Sequence, residues 1–224
     1  MFIFRDTPGM RRDGLSQYDA PDEERMGPHL TFKQYRRIDL AIFAAILLLT
    51  EFLVVKAAKS WFPDQLYTVS VTAAVTAIVL MRWGPFAGIH AALGGLVYAW
   101  VSGGNAQQFV IYIVGNGLSM AAILLFKAFG KEKIRKSFLL TILFALSVIV
   151  LMQVGRGLIA LIFGSGIGVI WKFITTDALS DLFTIVVVWV ASRLDGVFED
   201  QKHYLLRQQK EREEQQNDQS REDL

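Results

Sequence analysis

The sequence alternates long apolar runs with short turns rich in glycine, proline and charge, and each run approaches the length a helix needs to cross a bilayer. Spanning roughly 30 Å of hydrocarbon takes about 20 residues. The first run extends from Ile38 to about Ala57 and is closed by Lys59-Ser60-Trp61-Phe62-Pro63-Asp64. The second covers Leu66 to Met81 and stops at Arg82-Trp83-Gly84-Pro85. The third begins at Pro85, a residue suited to a first helical turn, and ends near Val101 before Ser102-Gly103-Gly104-Asn105. The fourth is Gln107 to Phe129 and the fifth Phe138 to Phe163, followed by Gly164-Ser165-Gly166-Ile167-Gly168. The sixth runs from about Val169 to Ser192.

These runs predict an all-α integral membrane protein, a bundle of six transmembrane helices over residues 38–192. A charged arm (1–37) precedes it and a charged helix or tail (193–224) follows. Composition agrees: 53% of the 224 residues are hydrophobic and only 20% charged, too few to cover a soluble domain of this size. The arm carries seven Lys/Arg and six Asp/Glu with Pro8, Pro21 and Pro28. No apolar run follows its early charges, so it does not read as a secretory leader. It reads as a poorly ordered cytoplasmic segment ending in an interfacial stretch, Phe32 to Arg37.

Six spans place both termini on one side. Lys127, Lys131, Lys133, Arg135 and Lys136 fall between spans four and five, Arg82 between two and three, and Arg36, Arg37 and Arg193 at the ends. The opposite connections offer Lys56 and Lys59, and none at 102–106 or 164–168. Basic excess marks the cytoplasmic face, so both termini are expected in the cytoplasm of a multi-pass plasma-membrane protein.

Ionisable side chains inside spans are costly and face a cavity or a partner. Glu51 lies in the outer half of span one, with Lys56 about a turn further out. Arg156 is about seven residues from the outer end of span five, with Gln153 a turn below it. Lys172 lies near the outer start of span six, with Asp177 deeper and Asp181 near mid-membrane. Asp177, Ser180, Asp181 and Thr184 share one helical face by their i, i+3, i+4, i+7 spacing. Two carboxylates on that face need a cation, and Arg156 and Lys172 are the available ones. Asn116, Ser119, Tyr98 and His90 can add hydrogen bonds. The set reads either as an outward-facing polar pocket or as structural pairs, Arg156 with Asp177 and Glu51 with Lys56.

Other chemistries lack their residues. There is no cysteine, and His29, His90 and His203 are too dispersed for a metal site. No phosphate-binding G-x-x-x-x-G-K-[ST], H-E-x-x-H or G-x-S-x-G is present. The chain is therefore expected not to be an enzyme, to need no cofactor and to bind no nucleic acid. Small residues line two faces, Ala41 and Ala45 on span one and Ala87, Ala91 and Gly95 on span three, permitting close helix approach.

Three features together resemble the substrate-binding S components of energy-coupling factor (ECF) vitamin transporters: the six-span layout, the Arg82-Trp83-Gly84-Pro85-Phe86-Ala87-Gly88 turn into a Gly/Ala-rich third helix, and the Ala41-xxx-Ala45 pair. The resemblance covers about residues 38–192. It implies capture of a vitamin-like small molecule in an outward-facing pocket, with Lys59–Gln65 as a lid. The pocket would use Glu51, Asn116, Gln153, Arg156, Lys172, Asp177 and Asp181. It also implies delivery through a transmembrane coupling protein and two cytoplasmic ATPases, docked on Ala41 and Ala45. The charged arm and tail exceed the compact family pattern. The alternative is a non-transporting scaffold or assembly protein of the cell envelope.

Overall fold

A computed structural model describes residues 31–61 and 70–222. Most of the charged arm, residues 62–65 of the expected lid and the first residues of the expected second span lie outside the described residues. Among the described residues all regular structure is helical: α1 (Phe32–Trp61), α2 (Thr72–Trp83), α3 (Ala87–Val101), α4 (Ala106–Gly115), α5 (Leu124–Phe129), α6 (Lys131–Lys136), α7 (Phe138–Ile162), α8 (Gly168–Thr176), α9 (Ala178–Ser192) and α10 (Gln201–Glu222). Gly84–Phe86 and Asn116–Ile123 are 3-10 segments that bridge α2 to α3 and α4 to α5.

Four stretches are long and apolar enough to cross a membrane: Phe32–Trp61, Thr72–Val101, Ala106–Phe129 and Phe138–Ile162. A fifth is added if α8 and α9 count as one span. Their outer surfaces are apolar, with Ile38, Ile42, Ile46, Leu49 and Leu53 of α1 all exposed. These helices have the length and apolar exposure that membrane insertion requires.

Thr72–Val101 is not a straight rod. Continuous helix would separate Thr72 from Gly94 by about 33 Å, yet a Cβ built on Gly94 would lie 2.2 Å from Thr72 Oγ1. The chain folds back at Gly84, whose φ of +60° and ψ of −130° suit only glycine, and Pro85 opens the return leg. α2 and α3 are thus two short antiparallel legs.

Cross-contacts fix the remaining directions. His90 Nε2 lies 3.1 Å from the Leu40 carbonyl, and Lys59 Nζ donates to the carbonyls of Val101 (3.4 Å) and Ser102 (3.0 Å). Residues 40–59 of α1 therefore lie along α3, and the two run parallel. Asn105 and Gln108 cap α4 reciprocally, which satisfies two of its otherwise unpaired amides and starts the descent beside α3. α7 rises against α4, with Gly155 seated on the Gly115 carbonyl. We call the end bearing Phe32 proximal and the end bearing Trp61 distal. Trp61, Trp100 and Trp171 are exposed at the distal end, an arrangement suited to a bilayer interface.

The expected straight sixth span is instead broken. α8 and α9 meet at 56° around Asp177. Thr175 and Thr176 turn their hydroxyls back onto the carbonyls of Trp171 (3.0 Å) and Lys172 (2.8 Å), and such back-bonding bends helices. The fourth span contains the 3-10 segment Asn116–Ile123 where a uniform helix was expected.

The proximal end is tied by a network centred on Arg82. Its Nε and Nη2 donate to the two oxygens of Asp39 at 3.0 and 2.7 Å, and Trp83 Nε1 donates to the same carboxylate at 2.5 Å. Arg82 Nη1 donates to the carbonyls of Gly196 and, at 3.1 Å, Val197. The start of the tail is thus part of the bundle. Phe198 is fully buried against Phe144, and Tyr35 donates to Gln201 at 3.4 Å. Replacing Arg82 with lysine keeps the charge but removes the fork that serves three partners. About 1–3 kcal/mol of stability should be lost, read as a lower melting midpoint in detergent; an unchanged midpoint would show that the network contributes nothing.

Candidate functional site

The apolar legs carry few polar side chains into their interior, and in the distal half those few converge. Arg156 of α7 is the centre. Its Nη1 donates to Asp177 Oδ2 at 2.6 Å and its Nε to Asn116 Oδ1 at 2.7 Å. The guanidinium lies 5.0 Å from the centroid of the Tyr112 ring, and Tyr112 packs on Tyr98 at 4.6 Å. Asn116 Nδ2 donates to the Ala91 carbonyl at 2.9 Å, so the amide is oriented with its oxygen toward Arg156. Each donor or acceptor comes from a different leg.

Local structure explains the convergence. α4 changes to 3-10 geometry at Asn116, beside the point where Gly115 lets α7 approach: a Cβ on Gly115 would lie 2.6 Å from Arg156 Cα. The break at Asp177 turns that carboxylate inward, and it is buried.

A second set lies one turn deeper. Gln153 Nε2 donates to both oxygens of Asp181 at 3.0 Å, while Gln153 Oε1 is buried without a hydrogen-bond partner. Glu51 of α1 is fully buried. Its Oε2 accepts from the Val71 amide at 2.8 Å, and its Oε1 has no partner. The Ser70 amide donates to Ser180 Oγ at 2.9 Å. The backbone just before α2 is thereby strapped across α1 and α9. Beneath it a cavity of about 10 Å³ is lined by Ser70, Gln153, Arg156, Asp177, Ser180 and Asp181, among others, room for about one water molecule.

Of the expected site residues, Glu51, Asn116, Gln153, Arg156, Asp177 and Asp181 lie in or against this cluster. Lys172 does not: it is exposed on α8, and the ion pair of Asp177 is made by Arg156. Lys56 is also exposed, so the alternative pairing of Glu51 with Lys56 gives way to the Val71 amide. His90 is buried at the α1–α3 contact, away from the cluster. Ser119 donates to the Asn116 carbonyl at 2.6 Å. Tyr112 and Ser70 are additions from the structure. Tyr112 stands one turn before Asn116, and that i, i+4 spacing is the signal by which it could have been found. Ser70 had none. Ala41 and Ala45 lie exposed on α1 among its outward isoleucines. Among the described residues no group of acidic or histidine side chains has the geometry of a metal centre.

Comparison of the chain with protein-family models, with curated proteins and with solved structures returned no match.

Proposed function

We propose that this protein is a membrane-embedded solute-capture subunit, an S component of an ECF-type importer, with six crossings and both termini in the cytoplasm of a multi-pass plasma-membrane protein. The alternating legs support six crossings if the α2–α3 hairpin and the α8–α9 pair each span the membrane. The proximal end carries Arg36, Arg37, Arg82, Lys131, Lys133, Arg135, Lys136 and Arg193, and the distal end Lys56, Lys59 and Lys172. That excess supports a cytoplasmic proximal face.

One observation carries the reading: polar groups of α1, α7 and α9, with Asn116 just after α4, meet in the distal half beside a cavity on whose wall Gln153 Oε1 is buried and unsatisfied. A polar atom buried without a partner costs free energy, and structural locks satisfy their members. The cavity has room for no more than about a water molecule while Val71 and Ser70 hold their bonds to Glu51 and Ser180. Solute admission therefore requires those two bonds to open, and the strap before α2 is the gate. A vitamin-sized molecule needs a few hundred Å³, which only an opened gate provides. The solute would then pass to a transmembrane coupling protein and two cytoplasmic ATPases.

The experiment is purification of the tagged chain from its own membranes in mild detergent, with mass spectrometry of proteins and retained small molecules. Two ATPases, a coupling subunit and a bound solute are expected; their joint absence sinks the reading. Ala41 and Ala45, exposed on the outer face of α1, are the proposed docking pair. Replacing both with leucine should leave solute retention intact and abolish uptake, and undiminished uptake would remove them from that role. The second reading, a non-transporting envelope scaffold, is favoured by the pairing of Arg156 with Asp177 and Asn116 and by the small cavity. It predicts a chain that copurifies with envelope proteins and holds no solute.

A further inference from the structure

The polar cluster is unbalanced in charge. Glu51 and Asp177 are buried and Asp181 half-buried in the distal half, and Arg156 is the buried cation there among the described residues. Lys172, which would have restored the balance, is exposed, as are Lys56 and Lys59. Asp177 is matched by Arg156 at 2.6 Å. Asp181 receives the neutral Gln153 amide at 3.0 Å, and Glu51 neutral donors as well, the Val71 amide at 2.8 Å with the Ser70 and Thr72 side chains beside it. The independent observation is Gln153, 2% exposed and lining the cavity, whose Oε1 has no donor. Its amide cannot turn to help, because Nε2 is already committed to Asp181.

The cavity therefore presents a carboxylate and an orphaned carbonyl oxygen in a space the size of one water molecule, in a region where uncompensated negative charge is costly. Arg156 also stands on the cavity wall but is engaged by Asp177 and Asn116, so Asp181 and the orphaned oxygen lack a positive donor of their own. We propose that this subsite takes the ammonium group of a cationic or amine-bearing solute, held by Asp181 and by Gln153 Oε1, with Glu51 supplying additional field from α1. A primary ammonium matches the volume, carries the charge and has three N–H donors; a carboxylate-bearing head group would meet Asp181 with like charge. The inference rests on the solute-capture reading and narrows its substrate class to molecules with a cationic nitrogen.

The test uses the purified full-length chain in detergent, with its melting midpoint followed against methylammonium chloride. Sodium chloride, tetramethylammonium chloride and sodium acetate at equal ionic strength serve as references. Methylammonium is expected to raise the midpoint saturably. The references, lacking either the N–H donors or the positive organic head group, should not. Asp181→Asn should weaken the methylammonium response about tenfold or more, the worth of a hydrogen bond to a charged group. Gln153→Leu, which removes the orphaned oxygen without adding charge, should weaken it as well. An equal response to sodium or tetramethylammonium, or a response undiminished in both variants, overturns the proposal. If the copurifying solute proves anionic or neutral, the ammonium subsite fails while solute capture stands. If methylammonium binds but no transport partners copurify, the subsite stands and the importer reading fails.

Discussion

Replacing Arg156 with alanine should remove about 3–5 kcal/mol of stability, the usual cost of leaving one member of a buried ion pair uncompensated. An ordinary interhelical hydrogen bond in a membrane bundle is worth far less, about 0.6 kcal/mol. The excess arises because Asp177, itself buried, loses its charge partner at 2.6 Å, and Asn116 loses the donor that holds its carbonyl at 2.7 Å. Reversible unfolding in mixed micelles reads the loss directly. A cost below about 1 kcal/mol would mean that the pair is solvated and the cluster open to water. The paired replacement Arg156→Met with Asp177→Leu should recover most of the loss, since a buried ion pair exchanged for well-packed apolar side chains is often neutral or stabilising. It separates the stability of the bundle from whatever the charges do for a ligand.

The second large effect is expected at the crossing of α4 and α7. A Cβ on Gly155 would sit 2.1 Å from the Gly115 carbonyl oxygen, and one on Gly115 would sit 2.6 Å from Arg156 Cα. Both obstacles are backbone, so no side chain can move aside and the helices must separate. Overpacking commonly costs about 1–3 kcal/mol and sometimes more. Gly155→Leu should exceed that range, at about 3 kcal/mol or above, because parting the helices also breaks the Asn116–Arg156 bond beside them. Gly117→Ala is the contrast: a Cβ there meets nothing within 4 Å, and the helical preference of alanine over glycine should make it neutral or stabilising by up to about 1 kcal/mol. Equal melting midpoints for Gly155→Leu and Gly117→Ala would show that the close crossing is not present in the folded protein.

Sequence periodicity and length located the helical segments well, because apolar runs and glycine or proline turns are local signals. Polar side chains in apolar runs are also conspicuous, and Glu51, Gln153, Arg156, Asp177 and Asp181 stand out for that reason. What they bond to is set by packing between legs far apart in sequence. Nothing in the chain announces that Asp39 belongs to Arg82, that Phe198 enters the core after a run of charges, or that Lys172 faces outward while Arg156 faces in. The break at Asp177 was obscured because it has neither proline nor glycine; two threonine hydroxyls bonded back to the preceding turn accompany it instead. The fold-back at Gly84 was legible because Gly84-Pro85 permits little else. The strap formed by Ser70 and Val71 was not, since it works through backbone amides that no side-chain pattern reveals.

The measurement that bears most directly on solute capture compares small molecules retained by the wild-type chain and by the Arg156→Met, Asp177→Leu double variant, both purified in mild detergent and weighed intact by native mass spectrometry. If the distal cluster is a binding site, the wild type carries a bound small molecule and the double variant, still folded, carries none. A wild type that flies empty, or a double variant that retains the same molecule, would contradict the account and leave the buried charges as structural pairs.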